Sequence, residues 1–213
     1  MNELKVTGLE EPTKPNQLQT CAILDKSATK HDVFTPEECK KIIELAKTWE
    51  SKEGDIQTKN HEEEFVNNTD YRNCMTYTPS MENQDSWLWV GEKISETIYK
   101  FNASPNGWKF DLIGMAERPM MMEYPEGEGK YDWHIDLGPG KVPSTRKLAY
   151  SVILNDDFEG GELQFMTGRD PMIAEQKLGT MIFFPTYFCH RVTLVTKGTR
   201  YAIVGWVHGN SFK

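Results

Sequence analysis

The sequence predicts an α+β protein: a double-stranded β-helix, or jelly roll, formed by its second half, with helices from the first half packed outside. Three observations predict this. Beyond Trp108, short apolar runs alternate with Gly, Pro, Asn and Asp at the intervals of an all-β fold. Before it, two segments repeat apolar residues at helical spacing. The eight strands that can be drawn after Trp108 suit two facing sheets enclosing a pocket.

At 213 residues the chain is long enough for one substantial core. The expected organisation is a flexible or extended arm over residues 1–20 and a single domain over 21–213. Within that domain a helical part spans 21–107 and a jelly-roll core spans 108–208.

The elements follow in order. Thr35-Pro36-Glu37-Glu38 is a helix start: Thr35 caps, Pro36 suits the first turn, and Glu38 completes a capping box. Ile42, Ile43, Leu45, Ala46 and Trp49 then form one apolar stripe. The charged stretch from Ser51 to Asn68, with Glu62-Glu63-Glu64 and His61, reads as a solvated loop. Thr69 to Tyr77 reads as a strand. A second helix runs from about Asp85 to Phe101, burying Trp87, Val90, Ile94 and Ile98, and Ser104-Pro105-Asn106-Gly107 ends it. The strands expected beyond are Trp108–Ile113, Pro119–Tyr124, Lys130–Asp136, Leu148–Leu154, Glu162–Met166, Thr180–Phe184, His190–Val195 and Arg200–His208.

Composition narrows the function. Hydrophobic residues make up 38% of the chain and aromatics 11%, too apolar for a disordered protein. No apolar run is long enough to cross a membrane. The polar N-terminus lacks a signal-peptide core, and Cys21, Cys39, Cys74 and Cys189 form no Cys-x-x-Cys pair, so free thiols in the cytoplasm are expected. A net charge of -8 argues against a nucleic-acid partner, which requires a broad basic face.

The chemistry centres on Tyr131-Asp132-Trp133-His134-Ile135-Asp136. On an extended strand His134 and Asp136 point the same way and form half a metal site. His190, opening a later strand, is the best third ligand. Two imidazoles and one carboxylate on one face of an ion match the facial triad of non-haem Fe(II) oxygenases. A zinc hydrolase needs a water-activating base that the sequence does not supply. On the last strand Arg200, Ala202, Val204 and Trp206 share a face. Arg200 is thereby aimed into an apolar barrel, where it needs an anion that fits its fork. His208, on that face, and Asp132, on the face of His134, are weaker candidates as a ligand and a ligand-orienting residue.

These residues carry a resemblance to the prolyl 4-hydroxylase-like branch of the 2-oxoglutarate and Fe(II)-dependent dioxygenases. It extends from Leu24 to Val207 through the Thr35 helix start, Tyr124, the Tyr131–Asp136 stretch and Gly160-Gly161-Glu162-Leu163. Gly179-Thr180, Phe183-Phe184-Pro185, His190, Arg200 ten residues later and Trp206 six beyond complete it. The resemblance implies that His134, Asp136 and His190 bind Fe(II) and that Arg200 holds the distal carboxylate of 2-oxoglutarate. Tyr124 would hydrogen-bond the co-substrate and Trp206 would line the same pocket. Arg146 stands where related enzymes contact substrate. Collagen-type enzymes carry lysine at the position of Arg200, so their substrate class does not transfer directly.

The implied reaction is oxidative decarboxylation of 2-oxoglutarate by O2 to succinate and CO2, coupled to hydroxylation of a C–H bond, with ascorbate as a possible reductant. The expected substrate is a prolyl residue in a peptide or protein. The alternatives are the same cofactors with another amino acid or a small metabolite, and a jelly-roll binding module without catalysis. Residues 138–147, with Lys141, Arg146 and Lys147, suit a lid over the pocket. Met120, Met122, Ala202 and Val204 suit its apolar lining.

Overall fold

The computed structural model describes residues 27–57, 65–80, 82 and 84–212. The expected arm at 1–20, Cys21 and His61 lie outside these residues. Two antiparallel sheets dominate. The larger orders Ala28–Lys30, Met181–Pro185, Arg146–Ile153, Arg200–Gly209, Met120–Tyr124, Met75–Thr78 and Glu50–Glu53, and Leu112–Gly114 pairs with the far end of Arg200–Gly209. The smaller orders Met172–Ile173, Leu163–Phe165, His190–Val192, Lys130–His134 and Arg72–Asn73. From Met120 onward the strands of the two sheets alternate between them, except that Leu163–Phe165 and Met172–Ile173 both lie in the smaller, which is the jelly roll the sequence predicts.

Alternation along the strands makes two cores. Met122, Tyr124, Ala149, Ile182 and Phe184 of the larger sheet meet Leu163, Phe165 and Val192 of the smaller in one cluster. Their strand neighbours Met121, Leu148, Tyr150, Phe183, Ile203 and Val207 join a second cluster with Ile42, Ala46, Trp87, Val90, Ile94 and Ile98. Those last six are the apolar stripes of helices Pro36–Ala46 and Gln84–Ala103. The period of 2 along each strand therefore decides which side chains line the pocket and which pack with the helices.

The capping box forms as predicted. Thr35 Oγ1 accepts from the Glu38 N–H at 3.2 Å, and Glu38 Oε2 accepts from the Thr35 N–H at 2.8 Å. Such a cap stabilises a helix by about 1 kcal/mol. Among the described residues no helix is long and apolar enough to cross a membrane.

Several expectations fail for identifiable reasons. The strand expected over Thr69–Tyr77 breaks at Cys74: Arg72–Asn73 pairs in the smaller sheet and Met75–Thr78 in the larger. His190–Val195 divides likewise, with Val195–Lys197 pairing Glu159–Gly160. A continuous β pattern gives no sign of where a strand changes partners. The expected loop after Ser51 contains strand Glu50–Glu53 and the pair Ile56–Gln57 and Phe65–Val66. Glu50–Glu53 is an exposed edge strand, so charge on all its faces hides it from an alternation test. Trp108 is buried among Phe101 and Phe183, but the chain turns through positive φ at Lys109 and forms strand only from Leu112.

Candidate metal centre

His134 ends strand Lys130–His134, and His190 opens the neighbouring strand as its Cα partner. That register alone sets the two imidazoles side by side, with ring centroids 4.1 Å apart. Asp136 arrives differently from the sequence expectation. It lies beyond the strand, on a bend held by Thr186, whose carbonyl accepts from the backbone N–H of Asp136 and of Leu137 at 3.1 Å each. The bend, and not continued alternation, turns its carboxylate inward. Oδ1 of Asp136 lies 3.8 Å from His134 Nε2, and Oδ2 lies 3.7 Å from His190 Nε2. The three ligand atoms fall within 4.8 Å of one another.

Each histidine is oriented by the carbonyl two residues before it. His134 Nδ1 donates to Asp132 O at 2.7 Å and His190 Nδ1 to Phe188 O at 2.9 Å. A carbonyl only accepts, so the Nδ1 of each ring carries a proton and each Nε2 is turned to Asp136. Burial, with His190 alongside, pushes His134 down to about 3, so its ring is neutral. Burial pulls the Asp136 carboxyl upward, yet His190, His134, the Trp206 N–H and Arg146 together hold it below its ordinary value. Two imidazole Nε2 atoms and an ionised carboxylate converge in a mostly buried site, where a cation among them would satisfy all three. The donor set therefore fits a divalent metal with open coordination positions.

A second feature lies at the start of the last strand. Arg200 pairs in register with Tyr124, is 1% exposed, and stands 5.2 Å from the Tyr124 ring. Its Nε and Nη2 both donate to Gln176 Oε1, at 3.2 and 3.0 Å. Among the described residues no carboxylate forms an ion pair with it, and burial pulls its pKa down. A guanidinium left this way costs several kcal/mol, so its place is suited to an anion arriving from outside. Burial likewise pushes the Tyr124 phenol upward and keeps it protonated as a donor.

Trp206 lies on the Arg200 face, and its buried Nε1 closes no hydrogen bond, facing the Asp136 carboxylate. Arg146 stacks on the Trp206 ring at 3.6 Å, makes a forked pair with Glu117 at 2.6 and 2.7 Å, and donates to Asp136 O at 3.1 Å. Lys147 turns to the opposite side, its Nζ 3.5 Å from the Phe212 ring. His208 is no part of the metal cluster: it contacts Thr145 at 2.9 Å and Glu117 at 3.2 Å. The Asp132 carboxylate accepts from the Trp133 N–H, so this residue orients His134 through its backbone and not its side chain. Met122 and Ala202 are fully buried, and Met120 and Val204 pack partly buried beside them. Residues 143–145 of the expected lid form a 3₁₀ turn.

Sequence reading missed Arg72, Glu117 and Gln176. The Arg72 guanidinium stacks on Tyr131 at 4.6 Å, and Tyr131 stacks on His134 at 3.6 Å. The parity that places Arg72 with buried Cys74 was a usable signal. Glu117 and Gln176 lie outside the strands and offered none.

Residues 119–208 match the model of the 2OG-Fe(II) oxygenase superfamily. A PKHD-type hydroxylase of Synechococcus sp. is 30% identical over 126 residues, covering 58% of this chain and 56% of its own. One from Hyphomonas neptunium is 33% identical over 128 residues, covering 55% of each. The chain thus spans about half the length of the curated relatives it matches. Among solved structures, a Trichoplax adhaerens prolyl hydroxylase in complex with a hypoxia inducible factor peptide fragment superposes with TM-score 0.67 at 16% identity, covering 87% of this chain and 84% of its own. A Pseudomonas putida prolyl-4-hydroxylase gives 0.64 at 14% identity, covering 86% and 92%.

Proposed function

We propose, from the match of residues 119–208 to the model of the 2OG-Fe(II) oxygenase superfamily, that this chain is a 2-oxoglutarate-dependent hydroxylase acting on a prolyl residue of a peptide or protein. One observation supports the reading above all. A His134–Asp136–His190 donor set and a buried Arg200, with which no carboxylate among the described residues forms an ion pair, border the same apolar cluster, Arg200 at Tyr124 and His190 at Phe165 and Phe184.

In this proposal His134, Asp136 and His190 hold Fe(II), Arg200 holds the distal carboxylate of 2-oxoglutarate, and Tyr124 donates a hydrogen bond to the same molecule. Bound there, Fe(II) with 2-oxoglutarate and O2 supplies the oxidative decarboxylation and the C–H hydroxylation. The protein's part is to fix the two imidazoles through Asp132 O and Phe188 O and to keep Asp136 ionised. Phe165, Phe184 and Met122 exclude bulk water from the ligands and so strengthen each charge interaction inside. Trp206, wedged between Arg146 and Asp136, lines the side from which substrate approaches, and Arg146 contacts that substrate. Ascorbate serves as reductant.

The structural neighbours named as prolyl hydroxylases support the substrate class. Residues 21–213 act as one domain, and the free Cys39, Cys74 and Cys189 suit the reducing cytoplasm. The test is anaerobic addition of Fe(II) and 2-oxoglutarate, followed by turnover with peptides. A metal-to-ligand charge-transfer band, and 2-oxoglutarate consumption stimulated by proline-containing peptides, are expected. Stimulation by free amino acids alone would move the substrate to that class; no band at all would leave a binding module.

A further inference from the structure

We propose that Gln176 is the positioning residue for Arg200, fixing which edge of the guanidinium meets the co-substrate while leaving its charge uncompensated. This rests on the reading of Arg200 as the holder of the 2-oxoglutarate carboxylate.

The geometry carries it in three steps. First, one oxygen, Gln176 Oε1, accepts from both Nε and Nη2 of Arg200, at 3.2 and 3.0 Å. That contact occupies the inner edge of the fork and leaves the edge bearing Nη1 for an anion. Gln176 is itself fixed, because its Nε2 donates to Gly161 O at 3.1 Å.

Second, the stem of Arg200 runs through space that only glycine leaves open. A Cβ on Gly161 would lie 2.8 Å from Arg200 Cδ and 3.0 Å from Val195 Cγ2, and Gly161 has φ +57°. Gly161 therefore makes room for the arginine with its missing side chain and holds Gln176 with its carbonyl.

Third, the acid next in sequence is turned away. Glu175 pairs with Lys177 at 2.5 Å and His31 at 3.4 Å on the surface. A neutral amide at 176 therefore satisfies two guanidinium donors without cancelling the charge, whereas a carboxylate there would pair with Arg200 and compete with any incoming dicarboxylate.

The experiment measures 2-oxoglutarate binding to the Mn(II)-loaded full chain by titration calorimetry, with thermal unfolding in parallel, for wild type, Gln176→Glu, Gln176→Leu and Arg200→Ala. Gln176→Glu is expected to weaken binding about a hundredfold while its Tm stays level or rises, since the buried guanidinium gains an anion. Gln176→Leu is expected to weaken binding about tenfold and lower Tm. Residue 176 as a mere packing element would move affinity and stability together in both variants. Binding by Gln176→Glu within about twofold of wild type overturns the role of Gln176, and if that variant misfolds, the same result for Gln176→Leu does so. If instead wild type and Arg200→Ala bind 2-oxoglutarate equally, the assignment of Arg200 itself is wrong, and this inference falls with it.

Discussion

His134 and His190 face each other as Cα partners across two antiparallel strands, and each is steered by the carbonyl of the residue two before it. Both steering groups are backbone, so the orientation of the rings depends on strand pairing and not on any further side chain. His134→Ala or Asp136→Ala should accordingly abolish Fe(II) binding and turnover while leaving the fold intact. Metal content after reconstitution, beside a circular dichroism spectrum, checks this; stoichiometric iron in either variant would refute the assignment.

Arg200→Ala should act on a different step. It removes the charge-assisted hydrogen bonds to a ligand carboxylate, each worth about 1.5–3 kcal/mol, so 2-oxoglutarate affinity should fall by roughly a hundredfold. Iron content should be unchanged. Equal co-substrate affinity in wild type and variant would remove Arg200 from the site.

Arg146 links Glu117, Trp206 and the Asp136 carbonyl, and its charge has an acidic partner where that of Arg200 has none among the described residues. Arg146→Met keeps the stem and loses the fork, leaving Glu117 half-buried beside His208. A loss of about 2 kcal/mol is expected, which lowers Tm by about 4–8 °C in a chain of this size. If Arg146 also contacts substrate, KM for the peptide rises while 2-oxoglutarate affinity holds. An unchanged Tm would show that the forked pair contributes nothing.

Glu123 accepts from Tyr77 and Tyr201 and pairs with Lys47 at the end of the first helix. Burial raises the Glu123 carboxyl, but Lys47, Tyr77 and Tyr201 outweigh it and leave it below 4.5. A depressed carboxyl contributes stability that is fully present above 4.5 and is lost as pH falls through the folded value. Burial lowers Lys47, but Glu123, Tyr77 and Tyr201 together outweigh it and raise it to about 12. That contribution is present below 10.5 and is lost as pH rises through about 12. Glu123→Gln should therefore lower Tm between these limits, with the difference from wild type shrinking as pH falls below 4.5 through the depressed folded value. A pH-independent difference would count against the linkage.

Much of the site is legible in the sequence because its signals are local and periodic. The parity of Arg200, Ala202, Val204 and Trp206 puts them on one face of the last strand, with Val204 and Trp206 packing between the sheets while Ile203 and Val207 pack with the helices, because side chains alternate along a strand. The Thr35 capping box is equally visible, being complete within four residues. The pairing of His190 with His134 is an expectation drawn from chemistry and resemblance, and periodicity contains nothing about it.

What the sequence by itself determined, then, is which side chains face inward, where the helices start, and which residue types could hold a metal. Tertiary structure alone decided that Asp136 comes inward on a bend tied to Thr186, that the strand at Cys74 changes sheets, and that Arg72, Glu117 and Gln176 reach Tyr131, Arg146 and Arg200. The reason is physical: alternation is fixed by neighbouring peptide geometry, whereas a backbone carbonyl that captures a bend, or a glutamine that reaches an arginine twenty-four residues away, becomes a contact only when both sheets are in register.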